Sequence, residues 1–425
     1  MPIRPPSAVR RVLAIALWMG AALLAAPPAR EPEVGLAHDF DLFCRFVAED
    51  YAYFGTKKTQ WDRVCAGYRP GPEQTTGTAV LMASLESALG ELYDAHAHLG
   101  SSNRNSPRLI PTDAEAWAAW EKNAAIIQEV REPSSASKAG LAAGMRVLAV
   151  NGEPIEAAVR RRHPRFLSAP DPEARSWALQ SVLAGRQDGQ PVRLAVLRDG
   201  HPSTIEYVPA PSPAAAALFF RWEKGMLGYI RFNNSLGEVD TVRQFDEALD
   251  RLKGSKGLIL DLRDTPSGGT SLVARGIMGR LVRKESPYQK HELVAEGRET
   301  GIHRRWIECV SPRGEPFMAP LVVLVGRWTG SMGEGLAIGL NAARNAPVIG
   351  TPMARMLGAL GEIKLPASGI VVRIPTEKLY HVDGTPREAF VPRPPLDSPP
   401  GAEGRDRTLR TGLSLLGSVP IEPSP

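Results

Sequence analysis

The chain has 425 residues, 43% of them hydrophobic and 23% charged, with a formal net charge of +5; that is ordinary globular composition and room for roughly two or three domains. Part of the positive charge sits at Arg4, Arg10 and Arg11, and no Lys/Arg-rich run interleaved with aromatic residues follows, so the composition argues against nucleic-acid binding. The cysteines (Cys44, Cys65 and Cys309) lack metal-site spacing and none stands in a glycine-rich turn, which argues against a cysteine-ligated metal or a cysteine nucleophile.

In chain order, residues 1–29 read as a signal peptide: a charged start, an apolar run from Val12 to Ala26, and small residues at Ala25, Ala26 and Ala29. The run is short for a membrane span, and the alternative is an uncleaved anchor. Export to the periplasm or the medium follows, and there Cys44 and Cys65 either pair or stay buried as thiols. Residues 30–111 predict a small helical domain, from the helical spacing of Leu42, Phe43, Phe46 and Val47 and again of Val80, Leu81, Leu85, Leu89 and Leu92. Residues 112–210 predict a β-rich domain. "AAIIQEV" and "RVLAVNGEPI" are strands, "ASKAGLAAG" is a short helix capped by Gly144, and a hairpin turns at Asp199-Gly200. The run "SSASKAGLAAGMRVLAVNGEPI" resembles the core of a PDZ domain. Residues 211–217 form an Ala/Pro-rich linker. Residues 218–397 then carry an α/β pattern: the strands "MLGYIRF", "GLILDLR" and "PLVVLVG", an amphipathic helix marked by Val242, Phe245, Leu249 and Leu252, the helix "MGEGLAIGLNAAR", and the strands "PVIG", "EIKLP" and "IVVRIP". Residues 398–425 read as a Pro/Gly-rich tail with one apolar piece, "LRTGLSLLG".

Strand, turn and helix meet at Ser331 in "PLVVLVGRWTGSMGEGLAIGL". A nucleophilic hydroxyl has to project from a tight turn, which Gly330 and Gly333 permit, and the helix that follows aims free N–H groups and its positive dipole end at the same place. The residues alone leave a second reading open, in which Ser331 merely caps the helix.

Taken together with "GYIRF", "GLILDLRDTPSGG" and the PDZ-like run, this segment resembles the tail-specific (C-terminal processing) serine peptidases. The likeness extends over about residues 90–397, with Thr329, Gly330, Ser331 and Glu334 on the nucleophile motif. It implies a crotonase-like α/β core flanked by a PDZ-like β-rich domain and a helical N-terminal domain. It also implies peptide or protein substrates, no metal and no organic cofactor. The oxyanion donors would be the Met332 N–H with that of Gly268 or Gly269; one extra residue between Arg263 and the glycine pair leaves that choice open. The Ser–Lys members carry a lysine shortly after the serine, but the corresponding "TPMARMLGALGE" has none, and Lys364 comes later. The tricorn-type branch uses His, Ser and Glu instead. "DAHAHLG" offers His96, with His98 as the alternative, and "HVDGTPREAFVPRP" offers Glu388, with Asp383 and Glu362 as rivals. Glu334 is read as stabilising the helix start. The family's glycine-rich carboxylate loop is not evident near "WEKNAAIIQEV". A non-catalytic peptide-binding protein on the same scaffold, or an esterase, are the competing readings.

Overall fold

The computed structural model describes residues 35–71, 77–210, 216–393 and 406–418; the proposed signal peptide lies outside them. Four of the predicted strands make a parallel sheet in the order Val348–Gly350, Leu321–Val325, Leu258–Asp261 and Leu227–Phe232, and Leu218–Glu223 adds an antiparallel edge. These strands are apolar along their length because both faces are covered. Ile230, Phe232, Leu258, Leu260, Val323 and Val325 pack on one side against the helices Asp240–Arg251, Ser271–Gly279 and Met332–Arg344. Leu227, Tyr229, Ile259, Val322, Leu324 and Ile349 alternate to the other side, where Leu409, Leu413 and Leu416 meet them. These leucines belong to a helix, Arg407–Ser418, so the apolar piece of the Pro/Gly-rich tail is a packed element.

A second sheet joins His98–Leu99, Val371–Tyr380, Ser286–Leu293 and Arg304–Val310, with Ala359–Lys364 also on Val371–Tyr380. The helices Leu36–Asp50, Trp61–Tyr68 and Thr78–Gly90 bury Phe40, Phe43, Trp61, Leu81 and Leu85 against Val372 and Ile374 of this sheet and against Leu365 and Ile370 of the turn that joins two of its strands. The N-terminal helices therefore share a core with the second sheet. Cys44 and Cys65 are joined by a disulfide, and Cys309 is free and exposed.

The β-rich unit is a third sheet of six strands between Ala116 and Tyr207. Its hairpin turns at Asp199 and Gly200, both with positive φ, as the sequence predicts. The short helix departs from expectation: it covers Ser135–Lys138 under a Ser134 cap and ends before the positive-φ Gly140, not at Gly144. The edge strand Ala116–Glu121 is covered by the helix Pro172–Ala184, where the Gln180 amide donates to the Ala118 carbonyl and accepts from the Ala118 N–H at 3.4 Å.

Leu416 is 5% exposed against the parallel sheet. Truncation to alanine removes that contact and leaves a cavity, so Leu416→Ala is expected to lower stability by about 2–4 kcal/mol, read from the urea unfolding midpoint.

Candidate active site

Leu258–Asp261 and Leu321–Val325 are parallel neighbours with Asp261 opposite Leu324, so the turns leaving their C-terminal ends emerge side by side. In open α/β sheets that is where ligands bind. The two turns are laced together. Thr265 and Thr329 bridge in parallel, and both hydroxyls donate to the Leu262 carbonyl, at 2.9 and 2.8 Å. Gly333 has no room for a side chain, since a Cβ there would stand 2.4 Å from Thr265 Oγ1.

Ser331 heads the Met332–Arg344 helix with φ 48° and ψ −115°. Positive φ in a non-glycine residue costs free energy and persists only where its surroundings enforce it; a serine held so on a strand-to-helix turn is the geometry of an exposed nucleophile. The enforcing group is Glu334. Its fully buried carboxylate accepts from the N–H groups of Ser331 at 2.9 Å, Arg355 at 2.9 Å and Met356 at 3.2 Å. Burial pushes its carboxyl up to about 7, opposed by Arg387 and by the three amides.

The glycine pair also lies at the serine. A Cβ on Gly268 would stand 2.4 Å from Ser331 Cβ and 3.0 Å from Met332 N, and its φ is +63°. Met332 is the first residue of its helix, so its N–H has no intrahelical acceptor. The Gly268 N–H closes the turn on the Thr265 carbonyl at 3.1 Å. The expectation of Gly268 as an oxyanion donor is thus corrected: its role here is to leave space. Gly269 packs on the Leu236 backbone, and its N–H makes no hydrogen bond among the described residues, so it is the free donor of this turn.

His96 reaches the same region from the N-terminal segment. Buried Asp94 accepts from Tyr51 Oη at 2.8 Å and from the His96 N–H at 2.9 Å, which fixes the bend before the strand His98–Leu99. The His96 ring is buried, with Nδ1 2.6 Å from the Leu357 carbonyl. A ring nitrogen against a carbonyl must carry the proton, so in the neutral ring Nε2 holds the lone pair. Burial first, and Arg387 second, press the imidazolium down to about 3. Leu357 follows Met356, whose amide is bound to Glu334, so His96 and Ser331 are both tied to one short segment, Ser331 through Glu334.

His98 is placed differently: its Nδ1 faces the Leu99 carbonyl, and its side chain lines a cavity that neither Ser331 nor His96 lines. Glu388 is not bonded to His96, as the sequence reading expected of it; the Leu357 carbonyl takes Nδ1. Glu388 Oε2 is buried without a partner, as is Tyr53 Oη, and burial raises both groups, the Tyr53 phenol further through the nearby Glu388. Arg355 Nε donates to the Glu388 carbonyl at 2.7 Å, and Arg387 donates to the carbonyls of Met356 and Gly358 at 2.9 and 2.8 Å. The rivals are occupied elsewhere, Asp383 with the Thr385 amide and His381, Glu362 with Arg373. Lys364 is exposed at the end of its strand. Leu357 escaped the sequence reading because it acts through its carbonyl, and Arg355 and Arg387 because their guanidinium groups meet main-chain carbonyls, which leave no residue-type signal.

Residues 226–390 match the family model described as Peptidase family S41. Over 93% of its length the chain is 22% identical to tricorn protease homolog 1 of Streptomyces coelicolor, and it spans 37% of that relative. The fold is similar to that of the photosystem II D1 C-terminal processing protease (TM-score 0.54, 18% identity, 90% of this chain and 97% of that one). It is also similar to that of mature CPAF (TM-score 0.56, 14% identity, 84% of this chain and 90% of that one).

Two titrations follow with opposite signs. The folded His96 is depressed to about 3 from 6.5, so the stability it contributes is present above pH 6.5 and is lost as the pH falls toward 3. Folded Glu334 is raised from 4.5 to about 7, so its contribution is present below pH 4.5 and is lost as the pH rises through 7. Nitrogen NMR is expected to show His96 as the Nδ1–H tautomer without titration between about pH 5 and 8. In urea melts, the stability of wild type relative to Glu334→Gln is expected to fall between about pH 4.5 and 7.

Proposed function

We propose that this chain, whose residues 226–390 match the peptidase family S41 model, is a member of that family and hydrolyses peptide bonds of peptide or protein substrates by acylation of Ser331. The observation that carries the reading is the strained Ser331 turn, with Gly268 leaving open the space beside Ser331 Cβ and the Met332 N–H. Ser331 Oγ attacks the scissile carbonyl and its proton passes to His96 Nε2. The oxygen that gains charge is met by the N–H groups of Met332 and Gly269, and the helix dipole adds to them. The imidazolium then protonates the leaving amine, and water, deprotonated by the same ring, releases the acyl group from Ser331.

The pattern fits the tricorn-type branch, in which a histidine takes the place of the lysine. Glu388 makes no direct contact with the base; its link to the site is its main-chain carbonyl, which accepts from Arg355. We read the β-rich unit as PDZ-like and the parallel-sheet core as crotonase-like, with domains at 30–111, 112–210 and 218–397, and residues 1–29 as a signal for export to the periplasm or the medium. The Cys44–Cys65 disulfide supports an oxidising compartment. The missing contact between Glu388 and His96 favours one second reading, a peptide-binding protein without turnover.

A fluorophosphonate probe separates the two. Ser331 is expected to be labelled, and labelling to vanish in Ser331→Ala. His96→Ala is expected to lower kcat/KM by about a thousandfold or more, while His98→Ala stays close to wild type. Gly268→Ala is expected to cost about a hundredfold or more by crowding the oxyanion space. An unlabelled, folded wild-type protein would overturn the hydrolase reading.

A further inference from the structure

We propose that a cavity beside the active site is a carboxylate-binding site whose receptor is Arg162, taking the terminal carboxylate of a peptide or of a small organic acid. The cavity measures about 240 Å³, space for about eight waters, between the helices Thr78–Gly90 and Pro172–Ala184 and the strand His98–Leu99.

Three arginines line it, and two are engaged. Arg108 donates to the carbonyls of Asp113 and Pro209, and Arg373 pairs with Glu362. Arg162 is different. Its Nε donates to Ser181 Oγ at 2.7 Å, and its guanidinium lies 4.2 Å over the Trp177 ring. Its two terminal nitrogens have no acceptor and no ion pair among the described residues. Burial, with Arg186 nearby, presses it down to about 10. Arg162 is half-buried and its terminal nitrogens keep contact with solvent at the cavity, while stacking plus the Ser181 bond hold the fork in one orientation. A planar two-oxygen anion fits that fork. Two acidic residues stand on the wall, Glu86 and Asp94; neither forms an ion pair with Arg162 among the described residues, burial raises both carboxyls, and Asp94 is engaged by Tyr51 and the His96 amide.

The place ties the site to the chemistry. Ala95 and Ala97, which flank His96, are part of the wall, as is Ile110. Pro111, next in the chain, approaches within 3.4 Å of a Cβ built on Gly330, beside the nucleophile. The alternative slot for an extended peptide, the strand edge at Ala118, is already filled by Gln180. A peptide end as ligand rests on the hydrolase reading; carboxylate binding does not.

The test is calorimetric titration of the Ser331→Ala protein with acetyl-trialanine as the free acid, the same peptide as the C-terminal amide, and succinate. The acid is expected to bind about tenfold or more tighter than the amide, and Arg162→Met to abolish the difference. Arg162→Lys, which keeps the charge without the fork, is expected to weaken the acid severalfold and leave the amide unchanged. Arg162→Met keeps an apolar contact on Trp177 and gives up only the Ser181 bond, so it is expected to melt close to the parent. Succinate binding that depends on Arg162 would support the site and identify a small acid as its ligand. Equal binding of acid and amide, binding indifferent to Arg162, or no binding of any of the three would overturn it. Fluorophosphonate labelling of Ser331 in wild type is scored separately, so either reading can fail alone.

Discussion

The buried Glu334 carboxylate is the contact on which the site depends. An ionised carboxylate in the interior is tolerated only when its lone pairs are filled, and three backbone amides fill them here. One amide belongs to the nucleophile and two to the Arg355–Met356 stretch, so the requirement to satisfy one charge binds the Ser331 turn to that stretch. The stretch then lends its outward carbonyls, Leu357 to His96 and Met356 with Gly358 to Arg387. The same positions would hold a lysine in the Ser–Lys relatives; in this chain they hold backbone that fixes a histidine.

The parallel sheet supplies the rest of the precision. Asp261 opposite Leu324 sets the two turns at one level, and the shared Leu262 carbonyl locks Thr265 to Thr329. A positive φ at Ser331 costs on the order of 1–3 kcal/mol. The Glu334 bond and the tight fit of Gly268 and Gly333 offset it, because a relaxed Ser331 would break the first and collide with neighbours at the second. The space that glycine leaves at 268 is therefore both a packing requirement and the room in which an oxyanion can form.

Much of this was legible in the sequence where side-chain pattern decides. The apolar runs at 258–262 and 321–325 read as buried strands because both sheet faces are covered, and Ser331 stood out by its glycines. The Arg407–Ser418 helix was hidden by the Pro/Gly-rich residues around it, although Leu409, Leu413 and Leu416 fall at helical spacing. His96 was reachable only through family resemblance, since an imidazole in an Asp-Ala-His run has no chemical signature of its own. Glu388 was given the Nδ1 contact by analogy, and a main-chain carbonyl, invisible in any sequence pattern, occupies it.

Arg387 gives the resting site a definite electrostatic state. It lies buried near both His96 and Glu334, adding to the burial that keeps the imidazole neutral and opposing the burial that raises the Glu334 carboxyl. A base pressed down to about 3 is a poor proton acceptor until something stabilises its cation. In the proposed reaction, the negative charge developing on the substrate oxygen beside Met332 would supply such a counter-charge, and only as Ser331 attacks. On that reading proton transfer and oxyanion formation stabilise each other, and before attack neither is favourable. Such a coupling would keep the serine turn from reacting indiscriminately, and its root is an imidazole held neutral first by burial and second by Arg387.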